Sequence, residues 1–384
     1  MITRKAPALL HYPPFPLGRL WVIIFIVAFL STPSSFLQII MLNNILSDEE
    51  QALFQKIVDE GSAFVITCHQ HPDGDAIGSS LGLAEYLRTQ EKDVVVIVPD
   101  QYPDFLTWLP NTEKIVRYDK HKEQADLLIR AADVIFCLDY NTASRTAQME
   151  ESLLASKAQK IMIDHHLAPD MPVALLVSRP EASSTSELVF RMIWQLGDFG
   201  TQTKKFAVPI YCGMMTDTGG FTYNSSDPDI FFIVSQLLTK GINKDKIYRN
   251  VFHTFSENRL RLVGYVLLEK MIVDQQRHAA YFTLSRQDLR RFHFMKGDAE
   301  GLVNMPLQMK GLKLSVSLRE DTEKDNLVWV SLRSVDTFPC NQMAEEFFNG
   351  GGHLNASGGR LMCSLADAVK VVQQAILHYE NLLK

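Results

Sequence analysis

Thr67-Cys-His-Gln-His-Pro-Asp-Gly-Asp-Ala-Ile-Gly-Ser-Ser-Leu81 is the stretch on which the fold of this chain turns. Ahead of it, Ala63 to Ile66 is short, apolar and partly β-branched, the pattern of a buried strand. After it, Leu81, Leu83, Ala84 and Leu87 recur at helical spacing. His69, Asp73 and Asp75 therefore fall on a strand-to-helix turn. In an open α/β sheet such a turn lies at the carboxyl edge of the strands, where ligands bind. An imidazole and two carboxylates this close together suit a borderline or hard divalent cation, and carboxylates two residues apart can serve neighbouring ions. Pro-Asp-Gly-Asp is also a good turn sequence in its own right. What shifts the balance is that three more His/Asp clusters follow at similar places.

Outward from this turn the pattern alternates. Helices are predicted over Glu49–Glu60, Ile77–Thr89, Glu187–Leu196 and about Lys204–Met215. Val94–Val98 is an apolar, β-branched strand of the kind buried on both faces of a parallel sheet. Val134–Leu138 is another and ends in Asp139; Ile161–Ile163 delivers Asp164-His165-His166. The helix ending near Met215 leads into Thr216-Asp217-Thr218-Gly219. Repeated β–α steps with polar residues at the strand ends predict an α/β fold with a doubly wound parallel sheet. A long helical stretch, about Ser256 to Val273, reads as a connector. Beyond it, strands at Ala279–Leu284, Leu312–Leu318 and Leu327–Leu332 and helices around Gln342–Phe348 and Ala366–Leu383 predict a smaller α+β domain. Its landmark is Gly350-Gly-Gly-His-Leu-Asn-Ala-Ser-Gly-Gly359.

The chain has 384 residues, enough for two domains that each bury a core. Its hydrophobic fraction of 46% and charged fraction of 21% are those of a soluble globular protein. A net charge of −6 argues against a broad basic surface for long nucleic acid, though not against a short anion held by metals and a few arginines. Cys68, Cys137, Cys212, Cys340 and Cys363 are scattered without a CxxC pair, which points to a reducing compartment, the cytoplasm, rather than a disulfide framework or zinc site. The first forty residues differ from the rest. Leu20 to Leu30 is an unbroken apolar run preceded by Arg4, Lys5 and Arg19. It is shorter than the ~20 residues of a spanning helix unless extended to Leu42 through Ser-Thr-Pro-Ser-Ser. The favoured expectation is that translation starts at Met41, since Ser47 and Glu50 make a clean capping box soon after. An inner-membrane anchor through residues 20–42 is the alternative, and an export signal comes last. Without residues 1–40, no membrane association is expected.

A lone Asp at a strand end, such as Asp139 or Asp164, is ordinarily a helix cap or turn residue. Adjacent histidines after a buried strand are harder to explain structurally, and an Asp beside a His is a standard way to orient a metal-bound imidazole. Four such clusters expected at one sheet edge favour a shared metal centre. As a set they resemble the DHH phosphoesterases: His69-x3-Asp73-x-Asp75, Asp139 after its strand, Asp164-His165-His166 and Thr216-Asp217-Thr218-Gly219 match that family's motifs in order. Ser331-Leu-Arg-Ser334 and Gly350-Gly-Gly-His353 resemble the associated DHHA1 domain. The resemblance implies a DHH catalytic domain over 45–250, a connector helix over 251–275 and a DHHA1 substrate-binding domain over 276–384, with 1–44 unmatched. Within the family the pairing is most similar to the small nano-RNase/pAp phosphatases of the NrnA type.

The resemblance also implies roles. His69 and Asp73 would hold one Mn²⁺, and Asp75, His165 and Asp217 the other. Asp139 would bridge them, His166 would face the reacting phosphate, and Asp164 would orient a histidine. His71 falls outside the pattern. Arg145 matches a recurring family position. Two cations about 4 Å apart can activate a water and stabilise phosphoryl oxygens. Mn²⁺ fits a mixed His/Asp set better than Zn²⁺, with Mg²⁺ or Co²⁺ as alternatives. Gly-Gly-Gly alone is weak evidence. With His353 after it and Arg333 on a neighbouring strand, Gly350, Gly351 and Gly352 become a candidate phosphate cradle. The family usually has another Gly where Asn349 stands, and Asn tolerates positive φ better than most residues. Arg319 is a weaker candidate, since a charged residue at a strand end is usually just solvated. The implied substrates are di- to pentaribonucleotides and 3′-phosphoadenosine 5′-phosphate, with no long nucleic acid. A homodimer is compatible with the pattern. The alternative chemistry is cleavage of linear or cyclic dinucleotides. The alternative class is a non-catalytic nucleotide-binding or membrane-attached sensor.

Overall fold

Six parallel strands carry the first half of the fold: β1 (Ala63–Thr67), β2 (Asp93–Val98), β3 (Val116–Arg117), β4 (Val134–Leu138), β5 (Gln159–Asp164) and β6 (Leu175–Ser178). Their spatial order is β3-β2-β1-β4-β5-β6. The computed structural model describes residues 42–295 and 297–384. The apolar run Leu20–Leu30 and the expected start at Met41 lie outside the described residues. Among the described residues no helix is long and apolar enough to cross a membrane.

The sheet is doubly wound because its central strands are apolar on both sides. All five residues of β4 are buried. Ile135 and Cys137 pack on one side with Val65, Ile97, Met162 and Ile129. On the other side Phe136 meets the rings of Phe54 and Phe64 at 6.1 and 6.3 Å. The strand order reverses between β1 and β4, so the chain leaves these neighbours in opposite directions and opens a crevice at their carboxyl ends. Two helices border that crevice, Gly74–Thr89 and Lys204–Asp217. Gly78 lets them lie in close contact: a Cβ there would stand 2.6 Å from the Pro209 carbonyl oxygen and 2.9 Å from Gly213 Cα. This sets the start of one helix, with Asp75, beside the end of the other, with Asp217.

The second sheet contains β7 (Ile272–Asp274), β8 (Ala279–Leu284), β9 (Leu314–Glu320), β10 (Val328–Ser334), β11 (Gly351–His353) and β12 (Ala356–Leu361) in the order β11-β12-β10-β9-β8-β7. Only β8 and β9 run parallel. Along β10 burial alternates strictly. Val328, Val330 and Leu332 join Val316, Leu318, Phe348 and Val372 in a core beneath the helices Cys340–Phe348 and Leu365–His378. The opposite face carries Trp329, Ser331 and Arg333.

Three details depart from the sequence-based expectation. The helical stretch predicted to reach Val273 ends sooner. Helix Glu257–Tyr265 widens into a π turn over Val266–Lys270, closed by the Met271 N–H on the Val266 carbonyl, and the β-branched Ile272-Val273 continue as strand β7. The glycine-rich landmark, for which no strand is predicted, is a hairpin, β11 paired with β12. Gly352 has φ +142°, and a Cβ there would lie 2.6 Å from the Ala356 carbonyl oxygen. The last predicted helix breaks at Tyr379 into Leu365–His378 and Glu380–Leu383.

Candidate metal centre

The four clusters converge. Asp139 stands between two histidines, its Oδ2 3.3 Å from His69 Nε2 and its Oδ1 3.4 Å from His165 Nε2. Asp73 Oδ1 lies 3.8 Å from His69 Nε2, and Asp217 Oδ2 lies 3.5 Å from His165 Nε2. Two groups of donors result, His69/Asp73/Asp139 and Asp75/His165/Asp217, with the ligand atoms of each within 4.8 Å of one another. Further groups of the same span are Asp139/Asp164/His166 and His165/His166/His353. The six residues expected at the metals are therefore together, and Asp139 adopts φ +63° at its strand end to reach both sides.

Neighbouring groups aim these side chains. Asp75 accepts the backbone N–H groups of Thr185 and Ser186 at 2.6 and 2.8 Å, and Asp139 accepts the Thr185 hydroxyl at 3.1 Å. Asp73 caps the Gly74–Thr89 helix by accepting the N–H groups of Asp75 and Ala76, both at 3.0 Å. His69 Nδ1 meets the Gln70 carbonyl oxygen at 2.8 Å and His165 Nδ1 the Ala182 carbonyl oxygen at 3.2 Å, so each ring turns Nε2 into the site. Asp164 is fully buried and holds His166 Nδ1 at 2.7 Å; its Oδ2 has no partner among the described residues. His71, outside the motif, faces away to Asp100 at 2.6 Å.

The electrostatics are those of a cluster of acids short of positive charge. Burial, and then Asp139, raise the Asp75 pKa to about 7, with His165 opposing. Burial, offset in part by His165, together with Asp75 and Asp73, raises that of Asp217 well above the carboxylate range. For Asp139 burial is outweighed by hydrogen bonds from His165 and His69, which hold its pKa well down. Burial disfavours charge on His69 and His165, but Asp139 raises both. Burial, and then Asp139, keep the adjacent Cys68 a thiol. The donors are thus oxygen and imidazole nitrogen without thiolate, a set that fits a pair of hard or borderline divalent cations.

The second sheet brings its own residues up to this edge. The His353 ring lies 4.6 Å from that of His166, nearly parallel, and 4.9 Å from that of His165. Burial, and then His166 and His165, lower the His353 pKa to about 3. Arg333 and His353 both face Ala356 across the strands, so they share one face of the sheet. The charge of Arg145 is felt at both His69 and His353, and its carbonyl oxygen accepts the Gln70 N–H at 2.7 Å. Gly350 to Gly352 lie at the edge of the hairpin, and Asn349, at the end of the preceding helix, takes φ +47° as a glycine would. The segment missed from sequence is Ser183-Ser-Thr-Ser-Glu187, whose N–H groups clamp Asp75. Its run of hydroxyl residues ahead of a helix was a visible capping signal.

Comparison with known proteins gives the following. The DHH family, N-terminal domain, matches residues 63–214. The chain is similar in structure to an exopolyphosphatase-related protein from Bacteroides fragilis, with a TM-score of 0.85 and 51% identity over 89% of this chain and 99% of that one. The bifunctional oligoribonuclease and PAP phosphatase NrnA of Thermus thermophilus is 28% identical over 318 residues, 79% of this chain and 85% of that protein. The cyclic-di-AMP phosphodiesterase GdpP of Geobacillus thermodenitrificans is 23% identical over 344 residues, 85% of this chain and 49% of that protein.

Proposed function

The chain belongs to the DHH family, and from that membership we propose that it is a two-metal phosphoesterase that removes mononucleotides from very short RNA and dephosphorylates 3′-phosphoadenosine 5′-phosphate to AMP. The observation that carries this reading is the position of Asp139, whose two oxygens lie 3.3 and 3.4 Å from two different histidines. One carboxylate can then serve two ions. His69 and Asp73 would hold the first and Asp75, His165 and Asp217 the second, with Mn²⁺ as the resident ion and Mg²⁺ or Co²⁺ as substitutes. Such a pair supplies an activated water and neutralises charge on the phosphoryl oxygens.

The protein's own residues do the rest. Asp164 accepts from His166 Nδ1, which leaves Nε2 to exchange a proton with a reacting or leaving oxygen. His353, kept neutral against two other imidazoles, can offer a hydrogen bond without adding a repelling charge. Arg145, Arg333 and the backbone of Gly350 to Gly352 would hold phosphate away from the reacting centre. Residues 45–250 would act as the catalytic domain and 276–384 as the substrate-binding domain. The stacking of His353 on His166 supports a preference for short substrates, because it narrows the path along which a long strand would continue.

A second reading, cleavage of linear or cyclic dinucleotides, is supported by the resemblance to GdpP. The test is an assay of the purified protein with Mn²⁺ against 3′-phosphoadenosine 5′-phosphate, di- to pentaribonucleotides, longer RNA and cyclic dinucleotides. The expected products are AMP and mononucleotides from the first two, lost on chelation. Full activity after exhaustive chelation refutes the reading, and turnover of cyclic dinucleotides alone favours the second.

A further inference from the structure

The face of the second sheet that meets the metal centre is laid out in cross-strand rows. One row runs Ser315, Arg333, Ala356, His353 and ends against the two histidines of the site. Four residues back along β10 a parallel row runs Arg319, Trp329, Arg360. At the usual rise of an antiparallel strand, Trp329 stands roughly 13 Å from Arg333. It still fronts the first sheet, since its ring lies 5.8 Å from that of His71, two residues along the chain from His69. Both rows therefore line one cleft, with the metal centre near one end and Trp329 farther along it.

The second row is organised as more than strand packing. Trp329 is half-buried, and its Nε1 donates to Asp321 Oδ2 at 2.7 Å, which fixes the tilt of the indole. The side chains of Arg319 and Arg360 make no hydrogen bond or ion pair among the described residues. Burial disfavours the charge of Arg319, with Asp321 alone opposing. Its guanidinium lies 5.4 Å from the ring centre of Phe294. Phe294 also lines a cavity of about 300 Å³ with Arg286, Arg290, His293 and Thr322. An aromatic ring on a sheet face, flanked by one partly buried and one exposed arginine without ion-pair partners among the described residues and continuing into a basic hollow, is the layout on which single-stranded nucleic acids stack.

We propose that Arg319, Trp329 and Arg360 form a subsite for a nucleotide beyond the one hydrolysed, with its base stacked on the indole and its phosphate on the flanking guanidinium groups. The subsite rests on the phosphoesterase reading for its place in catalysis, but its binding can be measured apart from turnover. It assigns to this row the choice between a single nucleotide and a short chain: 3′-phosphoadenosine 5′-phosphate does not reach it, and a trinucleotide does.

The experiment compares the full chain with Trp329→Leu, Arg319→Gln and Arg360→Gln. With Mn²⁺, the expected result for Trp329→Leu is a KM for trinucleotide raised about tenfold, in line with the loss of one stacked base, and an unchanged KM for 3′-phosphoadenosine 5′-phosphate. An unchanged trinucleotide KM, or an equal loss on both substrates, overturns the proposal. If Trp329→Leu melts early, the two arginine variants carry the same comparison. Independently, a trinucleotide with uncleavable phosphorothioate linkages should quench tryptophan fluorescence in the parent protein and not in Trp329→Leu. Were the parent to turn over none of these substrates, the phosphoesterase reading would fail, while quenching that needs Trp329 would still establish the subsite and its absence would refute it.

Discussion

Asp75 and Asp288 are both buried carboxylates in the first turn of a helix, 1% and 5% exposed, and both accept backbone N–H groups. Their surroundings nevertheless drive them in opposite directions. Around Asp288 stand the Ser285 N–H and hydroxyl at 2.9 and 2.7 Å, the Tyr265 hydroxyl at 2.9 Å and Lys270 Nζ at 2.9 Å. Burial opposes its charge, but these donors outweigh burial and bring its pKa down to about 2. Asp75 has good donors as well, yet burial and the neighbouring Asp139 raise it to about 7. At Asp75 burial, the largest cause, is reinforced by neighbouring acids, whereas at Asp288 it is outweighed by donors and a lysine. A carboxylate surrounded by donors and one lysine is a structural joint; one surrounded by donors and further acids is a candidate cation ligand.

The sharpest way to break this contrast is at Asp139. Asp139→Ala should abolish turnover, because the carboxylate that faces both histidines is gone. In the parent protein Mn²⁺ at a hundred times its dissociation constant should stabilise the fold by about 2.7 kcal/mol, read as a rise in melting temperature. Asp139→Ala should lose most of that rise. Near-normal Mn²⁺-dependent rates in the variant would remove Asp139 from the bridging position.

A smaller effect is expected one step out. Asp164→Asn keeps an acceptor for His166 Nδ1 but replaces the carboxylate that orients the ring with a weaker neutral one, so kcat should fall about 10- to 100-fold, as for other groups that orient a catalytic or ligating imidazole. The melting temperature should hold or rise, because the carboxylate is fully buried with one oxygen unpartnered. A variant that loses stability but keeps its kcat would make Asp164 a structural joint like Asp288.

What could be read in the sequence follows the same division. The candidate metal centre was legible only as a set: Asp139 alone reads as a cap or turn residue, but four His/Asp clusters, each at the end of a buried strand or helix, were expected at one sheet edge, and the fold brings their side chains together. The clamp on Asp75 was not legible, since its donors are backbone N–H groups of Thr185 and Ser186, more than a hundred residues along the chain. Strands β11 and β12 were hidden because Gly-rich segments carry no hydrophobic period. Arg319 looked like a solvated strand end until the sheet register set it beside Trp329. Asp288 lay between these cases. Ser285-x-x-Asp288 is a visible capping box, whereas Lys270 and Tyr265 reach it from the π turn and the helix before it, contacts that no local pattern announces.

The pairing at Asp288 also gives the contrast a measurable pH dependence. The folded-state pKa of about 2 lies below the ordinary 3.8, so ionised Asp288 stabilises the native state at every pH above the unfolded value. That contribution is lost as the pH falls from about 3.8 through about 2. At 1.36 kcal/mol per pH unit the gap corresponds to about 2 kcal/mol. Asp288→Asn should therefore unfold in less urea at pH 7 by about that amount, and the difference from the parent should shrink as both are taken below pH 4. Enzymatic rate should be untouched in the folded variant, since Asp288 lies outside the cleft chemistry and acts on the joint between the π turn and the helix Arg286–Arg291. A stability loss at Asp288 independent of pH would assign the effect to the lost cap alone. Equal melting of parent and variant at pH 7 would mean that the lysine and hydroxyl donors find water as readily as carboxylate.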